Sequence, residues 1–146
     1  EEELTCMETE IDSLKKLPIT GIVLGVLHDD RSINLEAVQR LSERADPLPV
    51  TFHKAIDETR DPLQEMKKLS RIQNIQSILS SGGAQNAETG AKMLKTMQQE
   101  FQSRFRMIAA GSITSENLLS LHHQIGFPEY HGRKIVGDLA RSSNPS

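Results

Sequence analysis

The sequence predicts an α/β protein built around a parallel β-sheet. Short, dense apolar runs, most of them rich in β-branched residues, recur along the 146 residues and are bounded by Gly, Pro or polar residues. Helical patterns, with apolar residues three and four apart, fill the gaps between them. The runs start roughly 22 to 31 residues apart, the length of one strand–helix unit. Regular alternation at that spacing implies right-handed βαβ crossovers and therefore parallel neighbours.

Met7, Ile11 and Leu14 mark a first amphipathic helix. GIVLGVL, residues 21–27, is the first strand candidate, and Leu35, Val38 and Leu41 mark the helix after it. PVTFHKAI, residues 49–56, is the second strand. Asp61 as N-cap with Pro62 at the first helical position then starts the helix of Leu63, Met66 and Leu69. IQSILSSGG, residues 75–83, is the third strand, followed by a helix carrying Ala87, Ala91, Leu94 and Met97. RMIAAGSI, residues 106–113, is the fourth, followed by Leu118, Leu121 and Ile125 with Thr114 or Ser115 as cap and Gly126 as stop. PEYHGRKIV, residues 128–136, is the last and weakest strand. Two architectures use such units, an open doubly wound sheet and a closed (β/α)8 barrel, and periodicity does not separate them. One domain over 1–138 and a small, polar, disordered tail over 139–146 are expected.

Composition narrows the function classes. Seventeen basic against 20 acidic residues give a net charge of −3, which offers no basic footprint for nucleic acid or a membrane surface. No window approaches the apolar length of a membrane-spanning helix. The single cysteine, Cys6, cannot form an internal disulfide, which suggests a reducing, cytoplasmic setting. The acidic, amphipathic start has no secretory pattern.

In either architecture, chemistry sits at the carboxyl ends of the strands. Those ends carry His28, Asp29 and Asp30, then His53, Lys54 and Asp57, then the small-residue turns, and finally His131 and Arg133. His53 is the most informative: an apolar run that ends in an imidazole suits a general base, a ligand or an anion donor, with Asp57 as a catalytic partner. The plainer reading is a ring hydrogen-bonded to neighbouring strand ends. Lys54 alternates to the other face of the strand. Ser81-Gly82 and Gly111-Ser112 are turns where a ligand could approach the backbone and a helix N-terminus could face an anion; otherwise they are tight turns that need Gly for geometry. His131 and Arg133 share a strand face and suit an anionic ligand, with Glu129 as an alternative partner for Arg133. No HxH, HxxxH or CxxC spacing exists, so a metal site would have to assemble from His28, His53 and His131 on separate strands, and His53 and His131 are its candidate ligands.

The segments GIVLGVL, PLPVTFHKAID, ILSSGG, AAGSITSENL and PEYHG, in this order and spacing, resemble the CutC family of copper-homeostasis proteins. The most specific piece is PVTFHKAID followed by Asp61-Pro62, with Lys54 and Ile56 standing where the family usually has Arg and Phe. The resemblance implies a (β/α)8 barrel of which these are strands four to eight, the first three β/α units being absent. It also implies a cytoplasmic role in copper homeostasis, with a copper ion or a small ligand as partner. The early cysteines on which copper ligation has been placed in some relatives have no counterpart here. The alternative is a barrel enzyme acting on a small anionic or phosphorylated substrate, with His53 as acid/base and Gly111, Ser112 and Arg133 binding the anion; a non-catalytic module is the third reading. A five-stranded partial barrel leaves edges open, so a homo-oligomer or a fragment of a longer chain is expected.

Overall fold

A computed structural model describes residues 2–132. Arg133 and the expected tail over 139–146 lie outside the described residues. The elements run α1 (Glu2–Leu14), β1 (Ile22–Leu24), α2 (Leu35–Ala45), β2 (Val50–Phe52), a 3-10 helix (Lys54–Glu58), α3 (Pro62–Leu69), β3 (Ile75–Ser80), α4 (Ala91–Phe101), β4 (Arg106–Ala110), α5 (Leu118–Ile125) and β5 (Glu129–His131). The chain divides into two compact units, with the boundary between Ile78 and Leu79.

In the first unit β1 pairs in parallel with β2, from Ile22 opposite Val50 to Leu24 opposite Phe52. β2 pairs in parallel with β3, with an irregularity between Val50 and Thr51. Val38 and Leu41 of α2, Phe52 of β2, Met66 and Leu69 of α3, and Ile75 and Ile78 of β3 are wholly buried and form the core. The spacing of these residues on α2 and α3 is what turns one face of each helix inward. Asn34 caps α2 by accepting from the Ala37 N–H. Asp61 caps α3 by accepting from Gln64, with Pro62 at the helix start as its sequence implies. α1 is fastened to α2 by two Arg–carboxylate forks, Arg40 on Glu8 and Arg44 on Asp12.

The strands are shorter than the apolar runs. The run over 21–27 yields three strand residues, because the chain leaves the ladder at Gly25 and folds into a loop closed by an antiparallel bridge between Leu27 and Ile33. The run over 49–56 also yields three. From Lys54 onward it is a 3-10 helix, so Lys54 does not alternate across a strand from His53 as the sequence predicts. Ala55 and Ile56 are buried in that helix, which is why the apolar pattern continues past the end of the strand.

In the second unit β4 pairs in parallel with β5, from Ile108 opposite Glu129 to Ala110 opposite His131. Leu94, Met97, Met107, Ile113 and Phe127 are its most buried large side chains. α4 begins at Ala91, and Ala87 is buried in the loop before it. α5 is flanked by Asn117, a few residues later than the expected cap. Thr114 instead makes a turn ahead of the helix, its N–H donating to Asn117 and its hydroxyl accepting from Glu116. Gly126 ends α5 in the left-handed conformation, with φ of 60°, as expected. Every pairing recorded among the described strands is parallel and joins neighbours in chain order, the α/β class the sequence predicts.

Candidate functional site

The carboxyl end of β2 carries the most developed constellation in the first unit. His53 follows the last residue of β2, and its backbone N–H donates to Leu24 O across the β1–β2 ladder at 3.0 Å. Its ring turns back over the chain, where Nδ1 accepts the Ala55 N–H at 3.0 Å and so caps the 3-10 helix. The ring lies against Gly25, where a Cβ would come within 2.7 Å of Cε1. Gly25 is therefore the residue that makes room for the imidazole, a role that an isolated glycine inside an apolar strand pattern can signal.

His53 is half-buried, and burial pushes its pKa below the ordinary value. Its own backbone hydrogen bond and the charge of Glu58 act in the opposite direction without cancelling the shift. Because Nδ1 is an acceptor, the neutral ring carries its proton on Nε2. Among the described residues Nε2 has no hydrogen-bond partner. Asp57 lies on the 3-10 helix and is half-buried.

The loop after β1 carries His28, Asp29 and Asp30, all exposed. Asp30 accepts from both the N–H and the hydroxyl of Ser32, and these bonds hold its carboxyl below the usual range. The loop is pinned from α3 by Glu65. This buried carboxylate accepts the Ile33 N–H at 2.7 Å and pairs with Lys68 at 2.8 Å. Sequence reasoning missed Glu65, since its partner Ile33 stands 32 positions away.

In the second unit the structure brings the two small-residue turns together. A Cβ on Gly111 would stand 3.0 Å from Asn86 Cα and 3.1 Å from Ser81 Cβ, and the Ala87 N–H donates to Gly111 O at 2.9 Å. Gly82, with φ of +76°, packs on Gly90, whose carbonyl oxygen would lie 2.2 Å from a Cβ there. The Ser81 hydroxyl donates to Ala84 O at 2.6 Å, inside the same loop. Ser112 is exposed and itself left-handed, with φ of 56°. Next to it, Asn117 Nδ2 donates to Ser112 O and to the carboxylate of Glu88. The chain thus places a carboxylate of its own at the start of α5, where a bound anion would otherwise gain from the helix end.

His131 is exposed at the end of β5. Glu129, on the same strand, pairs with Arg106 of β4 at 2.8 Å. Among the described residues no group of three or more His, Cys, Asp or Glu side chains is placed to hold a metal ion. Cys6 is a free, exposed thiol on α1.

These features define a parallel α/β protein with polar side chains at the carboxyl ends of its strands, as barrels and open parallel sheets both have. The CutC family model matches residues 1–136, and the chain belongs to that family. It is 30% identical to a family protein CutC of Mesorhizobium japonicum over 147 residues, covering 99% of this chain and 57% of the relative. It is 32% identical to a family protein CutC of Vibrio campbellii, covering 99% of this chain and 58% of the relative. The crystal structure of CutC from Streptococcus agalactiae, a protein given a copper-homeostasis name, superposes with a TM-score of 0.86 at 26% identity, over 92% of this chain and 66% of that one. The chain thus spans a little under three-fifths of these curated relatives. Its fold is that of part of the CutC barrel.

Proposed function

We propose that the chain forms part of a cytoplasmic copper-homeostasis protein, and that its own site at the carboxyl end of β2 receives a small anionic or acceptor-bearing ligand on His53. The observation that carries this is the Ala55 N–H donating to His53 Nδ1. That bond uses the ring's lone pair and leaves Nε2–H as a donor. A nitrogen that bears a proton has no lone pair for a metal. Burial favours the neutral ring, which donates through Nε2 without carrying a charge. Copper, where the family name invokes it, is then cargo of the whole protein. The free Cys6 supports a reducing compartment, and among the described residues no helix is long and apolar enough to cross a membrane.

Long-range proton–nitrogen NMR of the histidine rings tests this. At neutral pH the His53 ring is expected to show a protonated Nε2 and an unprotonated Nδ1. Inorganic phosphate should shift Nε2 saturably, whereas Cu(I) should not move it. A ring protonated at Nδ1, or an Nε2 that responds to Cu(I) and not to phosphate, would replace the donor reading with metal ligation.

A further inference from the structure

We propose that the first unit carries a second binding site, a polar cleft between the last turns of α2 and the α3–β3 turn, that takes a small zwitterion of the amino-acid or dipeptide class. The cleft has a volume of about 680 Å3 and is lined from α2 by Gln39, Ser42 and Glu43, with Asp46 at the helix end, and from the facing turn by Arg71 and Asn74. It lies beside the start of β2, since Val50 donates to Asn74 O, and so at the opposite end of that strand from His53. Its size is within the range of small-molecule sites, roughly 300–1,000 Å3.

Three observations give the ligand its chemistry. First, the walls are held in place: Asn74 Nδ2 donates to Ser42 O at 3.0 Å and to Leu48 O at 2.9 Å, tying the turn to the end of α2. Second, Ser42 is 0% exposed and its hydroxyl has no hydrogen-bond partner among the described residues. A buried hydroxyl left in that state is uncommon, and it marks this wall of the cleft as incompletely satisfied by the chain's own hydrogen bonds. Third, both signs of charge line the cleft without meeting. Among the described residues Arg71 has no carboxylate within 4.0 Å, and neither Glu43 nor Asp46 has a cationic side chain within that distance. Gln39 donates to Glu43 at 3.2 Å, which orients that carboxylate without neutralising it. Opposite charges kept apart across a polar cleft are complementary to a molecule that carries both: its carboxylate on the Arg71 guanidinium and its ammonium toward Glu43 and Asp46.

Calorimetric titration of the chain with glycyl-L-glutamine, set beside the same dipeptide N-acetylated or C-amidated, tests the proposal. The free dipeptide is expected to bind saturably, and blocking either end should weaken binding about tenfold. Arg71→Gln, an exposed position outside the core, should weaken the free dipeptide by a similar factor. Absence of saturable binding, equal binding of the free and blocked peptides, or an Arg71→Gln variant that binds like the parent would overturn the site.

Discussion

Gly25→Ala isolates the contact on which the His53 site depends. The added Cβ would stand 2.7 Å from Cε1, 2.9 Å from Nδ1 and 3.0 Å from Nε2 of His53, so the ring must move. It is not free to do so without loss, because Nδ1 holds the Ala55 N–H. Overpacking of this kind costs roughly 1–3 kcal/mol, and loss of a side-chain cap about 1 kcal/mol. Against this, replacing glycine where the backbone accepts alanine stabilises by roughly 0.4–1 kcal/mol through the unfolded chain. The net expectation is a loss of about 2–3 kcal/mol, or about 4–12 °C in melting temperature for a chain of this size. Urea unfolding followed by circular dichroism suits the measurement, since the chain has no Trp. The decisive comparison is the same substitution in a His53→Ala background. With the ring gone the clash goes too, and Gly25→Ala should become neutral or mildly stabilising. An equal cost in both backgrounds would mean that Gly25 is required for some other reason and that the ring's placement does not depend on it.

The remaining expectations concern the surroundings of the two strand-end regions. Glu65→Gln should cost about 1–2 kcal/mol by weakening a buried, charge-assisted hydrogen bond, and the Ile33 amide should exchange faster with solvent; unchanged exchange at Ile33 would refute the latch. Gly82→Ala should cost about 3 kcal/mol or more, because a left-handed φ is combined with a contact against the Gly90 backbone that cannot rotate away, and a parent-like melt would refute that packing. Stability should fall as pH drops below about 6.5. The folded His53 has the lower pKa, so the unfolded chain takes up its proton first and is favoured through that window. The urea midpoint of His53→Gln should vary less with pH over the same range, and an identical pH dependence would remove His53 as the cause.

The sequence makes the alternation of elements legible because burial on both faces of a parallel strand leaves an unbroken apolar run. Asp61-Pro62 and Gly126 mark helix ends by local chemistry alone, and both act as their residue types require. Strand lengths are less legible: Ala55 and Ile56 are as buried in the 3-10 helix as they would be in β2, so hydrophobicity gives no sign of the change. His53 could be placed at a strand end, but the choice between catalytic base, metal ligand and donor depends on which ring nitrogen meets Ala55, and that is a matter of three dimensions. Glu65 reads as an ordinary helix-surface carboxylate until Ile33 is brought to it. Glu129 reads in sequence as a candidate partner for Arg133, and the register of β4 with β5 brings it beside Arg106 as well.

Small residues at strand ends admit two interpretations, and they differ in what occupies the space where a Cβ would be. An anion-binding turn leaves that space to the ligand. At Gly25 it is taken by the His53 ring, at Gly82 by the Gly90 carbonyl, and at Gly111 by Asn86, Ala87 and Ser81. Each of these glycines admits a close approach by the chain itself. The chemical consequence differs among them. At Gly82 and Gly111 the neighbours are mainly backbone, which fixes the loop ahead of α4 and brings the Glu88 carboxylate to Asn117. At Gly25 the neighbour is an imidazole with one nitrogen bonded inward and the other left as a donor. Of the three positions, that is the one where close packing leaves a reactive group available, and it is there that a ligand of this part of the barrel should be sought.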